Sequence, residues 1–335
     1  MHVALKIEYA GAQYSGFQFQ PRMKTIQGEI ENSAFNFQIE LEKKERIVVT
    51  GGSGSLGRSL IPKLVSKDFD CISISRKSDR IESVNNIKCD ITNFQKVNSV
   101  INQFKPNIII HLAGLTGNLE CENNPKQAFL SNVFGTLNIL QASIKLRPKI
   151  IFSSTREVYG FTKIAVNENY PLKPMNNNGI TKMISENLIR SFHSMYNIPY
   201  IILRFPNCYG ENYTKRGLSS LFKKAISGEK IKIFGGNQTL DLLHFNDAAD
   251  AIIKSIFYNK TEIFNIGSGK AQRLVSIINK LKRVLNKDID CDFLPIRSFE
   301  VGSCKLNINK AEKNLKFKAS IKLDNIIPKM ISNWS

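Results

Sequence analysis

Ten consecutive residues narrow the fold of this chain more than any other feature. Val48-Val49-Thr50-Gly51-Gly52-Ser53-Gly54-Ser55-Leu56-Gly57 runs from a β-branched stretch into a segment of helical period, with glycines at 51, 54 and 57. In that spacing the first glycine lets the chain turn, the second lets backbone approach a pyrophosphate, and the third lets helix and strand pack closely. The helix N-terminus meanwhile offers free N–H groups to the anion. The spacing alone also suits any tight strand-to-helix turn. With a strand readable before it and a helix after it, the run predicts a dinucleotide seat whose contacts are Gly51, Gly54, Ser55, Leu56 and Gly57.

The rest of the body agrees with that seat. Short apolar runs at Arg46–Thr50, Asp70–Ser75, Asn107–His111, Lys149–Ser153 and Pro199–Arg204 alternate with helical periods, the pattern of βαβ units on a parallel sheet. Thr92 is placed to cap a helix in which Phe94, Val97, Ile101 and Phe104 form one buried stripe. The expected class is α/β: a doubly wound parallel (Rossmann) sheet, a smaller C-terminal substrate-binding lobe, and a short α+β fragment in front. The boundaries read as 1–42 for the fragment and its charged joint and 43–335 for the body. Within the body, 43–205 is mainly dinucleotide-binding and 206–335 mainly the lobe, with 240–266 returning to the sheet.

The chain has 335 residues and a formal net charge of +19. Positive potential draws nucleic acid, acidic membranes or phosphorylated ligands. Here the lysines are spread along the chain and form no basic tail, so drift of spare surface positions to Lys accounts for the excess as well as any ligand. No nucleic-acid partner is expected. Six cysteines without a C-x-x-C pair or a histidine at ligand spacing argue against zinc and against a disulfide framework. No apolar stretch approaches the ~18 residues of a membrane span. A cytoplasmic enzyme that needs no metal is the expectation.

The second strand ends at Ser75-Arg76-Lys77. A protein that prefers NAD usually offers a carboxylate there to the ribose hydroxyls, and a guanidinium suits a 2′-phosphate. NADP is therefore favoured over NAD, the bland alternative being that Arg76 is a solvated loop residue. Asp90, with Ile91 beside it, is placed to accept from the adenine amine.

With these residues in order, the body resembles the extended short-chain dehydrogenase/reductase superfamily, in its NAD-dependent epimerase/dehydratase branch that acts on nucleotide sugars. The likeness covers about 290 residues and rests on Thr50–Gly57, Asp90, His111-Leu112-Ala113-Gly114, Asn132-Val133-Phe134-Gly135-Thr136, Ser153–Gly160, Lys182 and Arg204–Gly210. It implies cofactor contacts at Leu112, Ala113, Gly114, Asn132 and Lys182. It also implies hydride exchange between nicotinamide and a sugar carbon, while a Tyr phenolate handles the hydroxyl proton. A Ser or Thr holds the reacting oxygen, and a Lys four residues after the Tyr lowers the phenol's pKa. Thr155 and Lys182 match, but the tyrosine position is Asn178. An amide cannot act as a base. Glu157, Tyr159 or Tyr170 would have to substitute, or the protein binds NAD(P) without turnover. In the sugar 4,6-dehydratases the equivalent of Glu157 abstracts a proton, but their acid is the preceding Asp, here Arg156, so dehydration is not expected. His111 and His244 read as scaffold.

On the sugar side Asn207 matches a diphosphate contact and Arg297 stands at a later arginine position. The family's other phosphate-binding Arg is Leu240, and an Asp of its C-terminal motif is Asn307. A homodimer built on the helices around Asn132 and Lys182 is implied.

Residues 1–38 resemble the opening of tRNA pseudouridine synthases, through Glu8-Tyr9-Ala10-Gly11, Tyr14, Gly16-Phe17-Gln18 and Thr25–Glu31. The match stops before the segment with that family's essential aspartate, so no pseudouridylation is expected and an RNA-docking remnant is the lesser alternative. Removal of residues 1–42 is expected to leave tRNA affinity unchanged in a filter-binding titration. A large loss would restore the RNA reading.

Overall fold

The computed structural model describes residues 44–77, 84–211 and 217–334, so the synthase-like fragment lies outside the described residues. Glu45–Ser335 forms one unit. Its centre is a seven-stranded parallel sheet. The strands are β1 (Arg46–Thr50), β2 (Asp70–Ser75), β3 (Asn85–Lys88), β4 (Ile108–His111), β5 (Lys149–Thr155), β6 (Tyr200–Phe205) and β7 (Glu262–Asn265). Their spatial order is β7-β6-β5-β4-β1-β2-β3, and every neighbouring pair is parallel. Sequence order reverses between β1 and β4. In open α/β sheets ligands bind in the crevice that this reversal opens beyond the carboxyl ends of the strands.

Successive side chains of a strand point to opposite faces, so a sheet covered on both sides needs strands that are apolar throughout. β1 does this: Ile47 and Val49 join one core and Val48 the other. On the first face lie α1 (Ser55–Ser66) and α5 (Phe245–Ile256), and on the second α2 (Phe94–Phe104), α3 (Gly135–Ser143) and α4 (Asn177–Tyr196). In α2 the expected stripe is buried only at its centre: Val97 and Ile101 are fully buried, Phe104 packs partly buried against the core, and Phe94 in the first turn is exposed. Its cap, however, is Asn93, whose side chain accepts from the Lys96 N–H at 2.9 Å. Thr92 is instead held by Asp90, whose Oδ1 accepts from both its N–H and its hydroxyl. The boundary moves by one residue because the Asx turn at Asp90 uses Thr92 first.

Of the span 240–266, β7 lies in the main sheet. Thr239–His244 is a strand of a separate three-stranded sheet, paired with Asn207–Tyr209 and Ala271–Arg273. That small sheet belongs to a C-terminal lobe with its own core, built on Tyr209, Phe222, Ile231, Ile233, Leu242, Ile277 and Ile327. Burial of Leu242 there, next to Leu243 in the main core, shows why this strand runs between the two bodies.

One polar network is buried under the site. Arg204 at the end of β6 meets Glu186 of α4, with Nη2 2.6 Å from Oε2 and Nε 3.0 Å from Oε1. Both side chains are at most 3% exposed. Ser154 donates to Glu186, and Tyr159 accepts from Arg204 while donating to Asn265 of β7. Removing one member of such a pair strands a buried charge, whereas replacing both with apolar groups can be nearly neutral. Glu186→Ala is therefore expected to lower stability by ~3–5 kcal/mol in urea unfolding. The double variant Glu186→Leu/Arg204→Met should recover most of that loss.

Candidate active site

The glycine loop is pressed between two strands. Gly51 has φ +72°, its N–H donates to Ile74 O at 2.8 Å, and a Cβ there would lie 2.8 Å from backbone atoms of Ala113. Gly54 is different, because a Cβ there would meet Gly51 O at 3.1 Å and nothing else within 4 Å. Gly54 is also the N-cap of α1, with no side-chain cap and no acidic residue in the first turn. Free helix N–H groups beside a shallow, Cβ-free surface are the donor set that a pyrophosphate needs. Ser55 and Leu56 follow on the first turn, and Gly57 is buried under it.

At the end of β2, Ser75 is buried, and its hydroxyl donates to Lys77 O at 2.7 Å and lies 3.1 Å from Asn86 Oδ1. Arg76 is exposed. Asp90 stands after β3, one carboxylate oxygen engaged by Thr92, and Ile91 packs toward Gly135.

Across the switch point a chain of neutral hydrogen bonds runs through His111. Thr136 donates to Asn132 O, so at the 3.0 Å contact with His111 Nε2 its oxygen must accept. Burial pushes the imidazole down to about 3. The ring is therefore neutral with its proton on Nε2, and Nδ1 accepts from the Thr50 hydroxyl at 2.7 Å. Thr50 in turn accepts from the Ala113 N–H. The backbone of Leu112, Ala113 and Gly114 is held beside the glycine loop by this chain.

Asn132 lies in a π-helical turn, Leu130–Phe134, of the kind often found at functional sites. Its amide accepts from Leu115 N–H at 2.7 Å and donates to Leu115 O and to the Thr181 hydroxyl, both at 2.9 Å. Both amide hydrogens are used, so Asn132 shapes the wall of the cleft by fixing the 114–115 backbone. A Cβ on Gly114 would sit 2.6 Å from Asn132 Oδ1 and 3.7 Å from Lys182 Nζ.

Lys182 is 3% exposed. Its ammonium donates to Ser153 O at 2.7 Å and lies 4.5 Å from the Phe152 ring centroid. Burial pulls its pKa down to about 8, against opposing attraction from Cys121 and Glu186. Thr155 ends β5, and its hydroxyl oxygen accepts from the Glu157 N–H at 3.2 Å. Asn178 is buried one turn before Lys182. Its Nδ2 donates to Asn118 Oδ1 at 3.2 Å, and its Oδ1 is buried with no partner.

Glu157 joins this group. Asn118 and Asn176 donate to Glu157 Oε2 at 3.0 and 2.8 Å, while Arg156 Nε lies 3.3 Å from Oε1. Asn118 and Asn176 were not marked as site residues in the sequence. Asn176 carries a signal, since it caps α4 by accepting from the Gly179 N–H, but Asn118 opens a short helix, Asn118–Asn123, that no motif marks. Tyr159 turns the other way, into the Arg204 network, where burial pushes its hydroxyl up to about 12. Tyr170 packs edge-on against it. Neither tyrosine occupies the position left by the missing phenol.

On the lobe side, Asn207 is exposed at the start of its strand, and Leu240 packs partly buried in the lobe core. Arg297 lies over the Phe234 and Phe299 rings, at 4.3 and 5.1 Å, and pairs with Glu300 at 2.5 Å. Phe299 O accepts from Asn176, which links this segment to the Glu157 group.

The family model described as NAD dependent epimerase/dehydratase family matches residues 47–267. A UDP-glucuronate 4-epimerase of Thermodesulfobacterium geofontis is 30% identical over 253 residues, 73% of this chain and 77% of that protein. The crystal structure of a UDP-glucose 4-epimerase with UDP-glucose from Thermotoga maritima superposes with a TM-score of 0.81 at 25% identity, covering 86% of this chain and 98% of that one. A UDP-glucose 4-epimerase from Bifidobacterium longum, in complex with NAD+ and UDP, has the same fold, with a TM-score of 0.80 at 23% identity over 86% and 97% of the two chains. The matched span exceeds half the chain and contains the glycine loop, Thr155 and Lys182, so this chain belongs to the NAD dependent epimerase/dehydratase family.

Proposed function

We propose that this chain is an NAD(P)-dependent enzyme acting on a nucleotide sugar, transferring hydride at a sugar carbon in an epimerisation or reduction. The observations that support this are that Glu157 is tied to Thr155 through its N–H and to Asn178 through Asn118, and that Lys182 Nζ lies beside Gly114. The glycine loop, with its open face at Gly54, fits a dinucleotide. Gly51, Gly54, Ser55, Leu56 and Gly57 would hold the pyrophosphate, Asp90 and Ile91 the adenine, and Leu112–Gly114 with Lys182 the nicotinamide riboside. NADP is the preferred form, since a serine stands where a ribose-binding acid is usual and Arg76 follows it. When bound, the cofactor supplies the hydride acceptor. Relatives of this family bind UDP-sugars, and Asn207 and Arg297 are assigned to the substrate diphosphate.

Thr155 accepts from the Glu157 N–H, which leaves its own hydrogen for the reacting sugar oxygen. Lys182 spends one donor on Ser153 O and keeps two for the nicotinamide ribose. Asn178 has no proton to exchange, and the carboxylate tied to it through Asn118 is Glu157. Glu157 is assigned the proton of the sugar hydroxyl as hydride leaves its carbon. Arg156 occupies the place of the dehydratase acid, and its Nη1 contacts the Thr239 and Cys304 carbonyls. Dehydration therefore has no acid here.

The helices around Asn132 and Lys182 are assigned to a homodimer, with Phe134 and Met195 exposed along them. All six cysteines are free thiols, which suits a reducing cytoplasm, and no helix among the described residues is long and apolar enough to cross a membrane. The 43–205 and 206–335 halves are taken as cofactor and substrate parts.

Purified protein titrated with NAD and NADP, then assayed on UDP- and GDP-sugars, is expected to show slow turnover. Asn178→Tyr should raise kcat by roughly 10²–10⁴-fold, and Glu157→Gln should abolish the native rate while leaving cofactor binding intact. Native turnover at the rates usual for a tyrosine-bearing relative would overturn the reading of Asn178.

Lys182 also carries a stability cost. Its folded pKa of about 8 lies below the 10.5 of a free lysine, so between these values the unfolded chain holds more protons and stability rises with pH. Lys182→Met is expected to stabilise the cofactor-free protein by about 1–3 kcal/mol at pH 7. That advantage should shrink between pH 8 and 10.5 in thermal melts.

A further inference from the structure

Asn176 combines two roles that most good helix caps cannot. It precedes α4 in extended backbone, and its Oδ1 accepts from the Gly179 N–H at 2.8 Å. Ser, Thr or Asp would cap that turn as well, and an Asp would gain from the helix dipole. The other end of the side chain explains the amide. Asn176 is 2% exposed, and its Nδ2 donates to Glu157 Oε2 at 2.8 Å and to Phe299 O at 3.0 Å. A carboxylate cap would set two buried anions side by side, and a hydroxyl brings one hydrogen to two acceptors.

The cap also sets the direction of the hydrogen bonds beyond it. A backbone N–H can only donate, so Asn176 turns Oδ1 to Gly179 and Nδ2 to Glu157. Glu157 Oε2 is therefore an acceptor. With that carboxylate ionised, Asn118, 3.0 Å from the same oxygen, presents its Nδ2 and turns its Oδ1 to Asn178 Nδ2. Oε2 thus receives two hydrogen bonds, and donors aimed at the charged form favour it. The charged and titratable groups around Glu157 are Arg156 on its own turn, with Nε 3.3 Å from Oε1, the Cys304 thiol, and Asp241, whose charge also acts on Arg156 and Cys304. Glu122, at the same end of α4, is engaged by the N–H and the amide of Asn177. We propose that Asn176 and Asn118 are positioning residues for Glu157, holding its carboxylate ionised and fixed in direction for the proton step. This rests on the assignment of the sugar hydroxyl proton to Glu157 made above.

The test is the titration of Glu157 itself, followed by carbon-13 NMR of protein labelled at the glutamate carboxyl carbons, with Glu157→Gln identifying its signal. The proteins are the native chain, Asn118→Ala, Asn176→Ser and Asn176→Asp. Ser and Asp both keep a cap at position 176, so a role in capping alone leaves Glu157 titrating as it does in the native chain. Positioning predicts that Asn118→Ala and Asn176→Ser, each removing a donor from the charged form, raise the pKa of Glu157 by about one pH unit. Asn176→Asp should raise the upper of the two coupled titrations by roughly 1–3 pH units. Asn118 is only half-buried, so Asn118→Ala decides the matter even where a variant at 176 fails to fold. An unchanged Glu157 titration in Asn118→Ala and in the folded variants at 176 would overturn the proposal. Turnover of UDP-glucose separates it from the reading on which it rests. A base must be ionised to act, so the acid limb of the pH–kcat profile should move to higher pH together with the titration. A titration that moves while the acid limb stays in place would leave the hydrogen bonds as described but take the proton away from Glu157, overturning both the base assignment and the positioning role.

Discussion

The cleft depends on a histidine that is never charged. His111 sits at the end of β4 with no exposed surface, and its two ring nitrogens join Thr50 of β1 to Thr136 of α3. Burial disfavours the charged ring, and in the neutral form Nδ1 accepts from Thr50 while Nε2 donates to Thr136. That arrangement sets the Ala113 N–H on Thr50 and leaves the Asn132 carbonyl to accept from Thr136 and Ser185. The glycine loop, the 112–115 edge and the π-turn of Asn132 meet through that one ring.

The same economy explains the burial of Lys182. An ammonium out of water is costly, and the fold offsets part of that with the Ser153 carbonyl and the face of Phe152. The remainder is retained as a lowered pKa. Lys182 is the one cation among the buried residues of α4, which also include Asn178, Thr181, Ser185 and Glu186. The ammonium lies between Ser153 near the end of β5 and Gly114 just after β4.

Much of this was legible in the chain itself. The glycine spacing, the apolar runs and the order of Thr155 and Lys182 are local patterns, and local patterns survive in a sequence. Strand ends moved by a residue or two, as at Lys149–Thr155, because backbone pairing with β6 extends past the last apolar residue. What was not legible is pairing across the fold. Asn118 reaches Glu157 across 39 positions and Arg156 reaches Cys304 across 148, and nothing in either segment announces its partner. Thr92 and Asn93 show the opposite difficulty: both are good caps, and the choice fell to Asp90, which claims Thr92 first.

Asn178 looks, in the sequence, like the loss of a catalytic residue. In the fold it is tied to one of two asparagines that hold a single carboxylate. Asn176 and Asn118 both donate to Glu157 Oε2, and Asn178 donates to the carbonyl end of Asn118. Random loss of a tyrosine would leave polar neighbours unmatched, each at a cost of about 1–3 kcal/mol. Here the amides satisfy one another, and the atom left over is Asn178 Oδ1, which is buried beside the helix turn that carries Lys182. A buried acceptor without a donor is a place for a hydroxyl proton to point. The asparagines thus form a set tied to Glu157: two hold its carboxylate, and Asn178 holds one of those two.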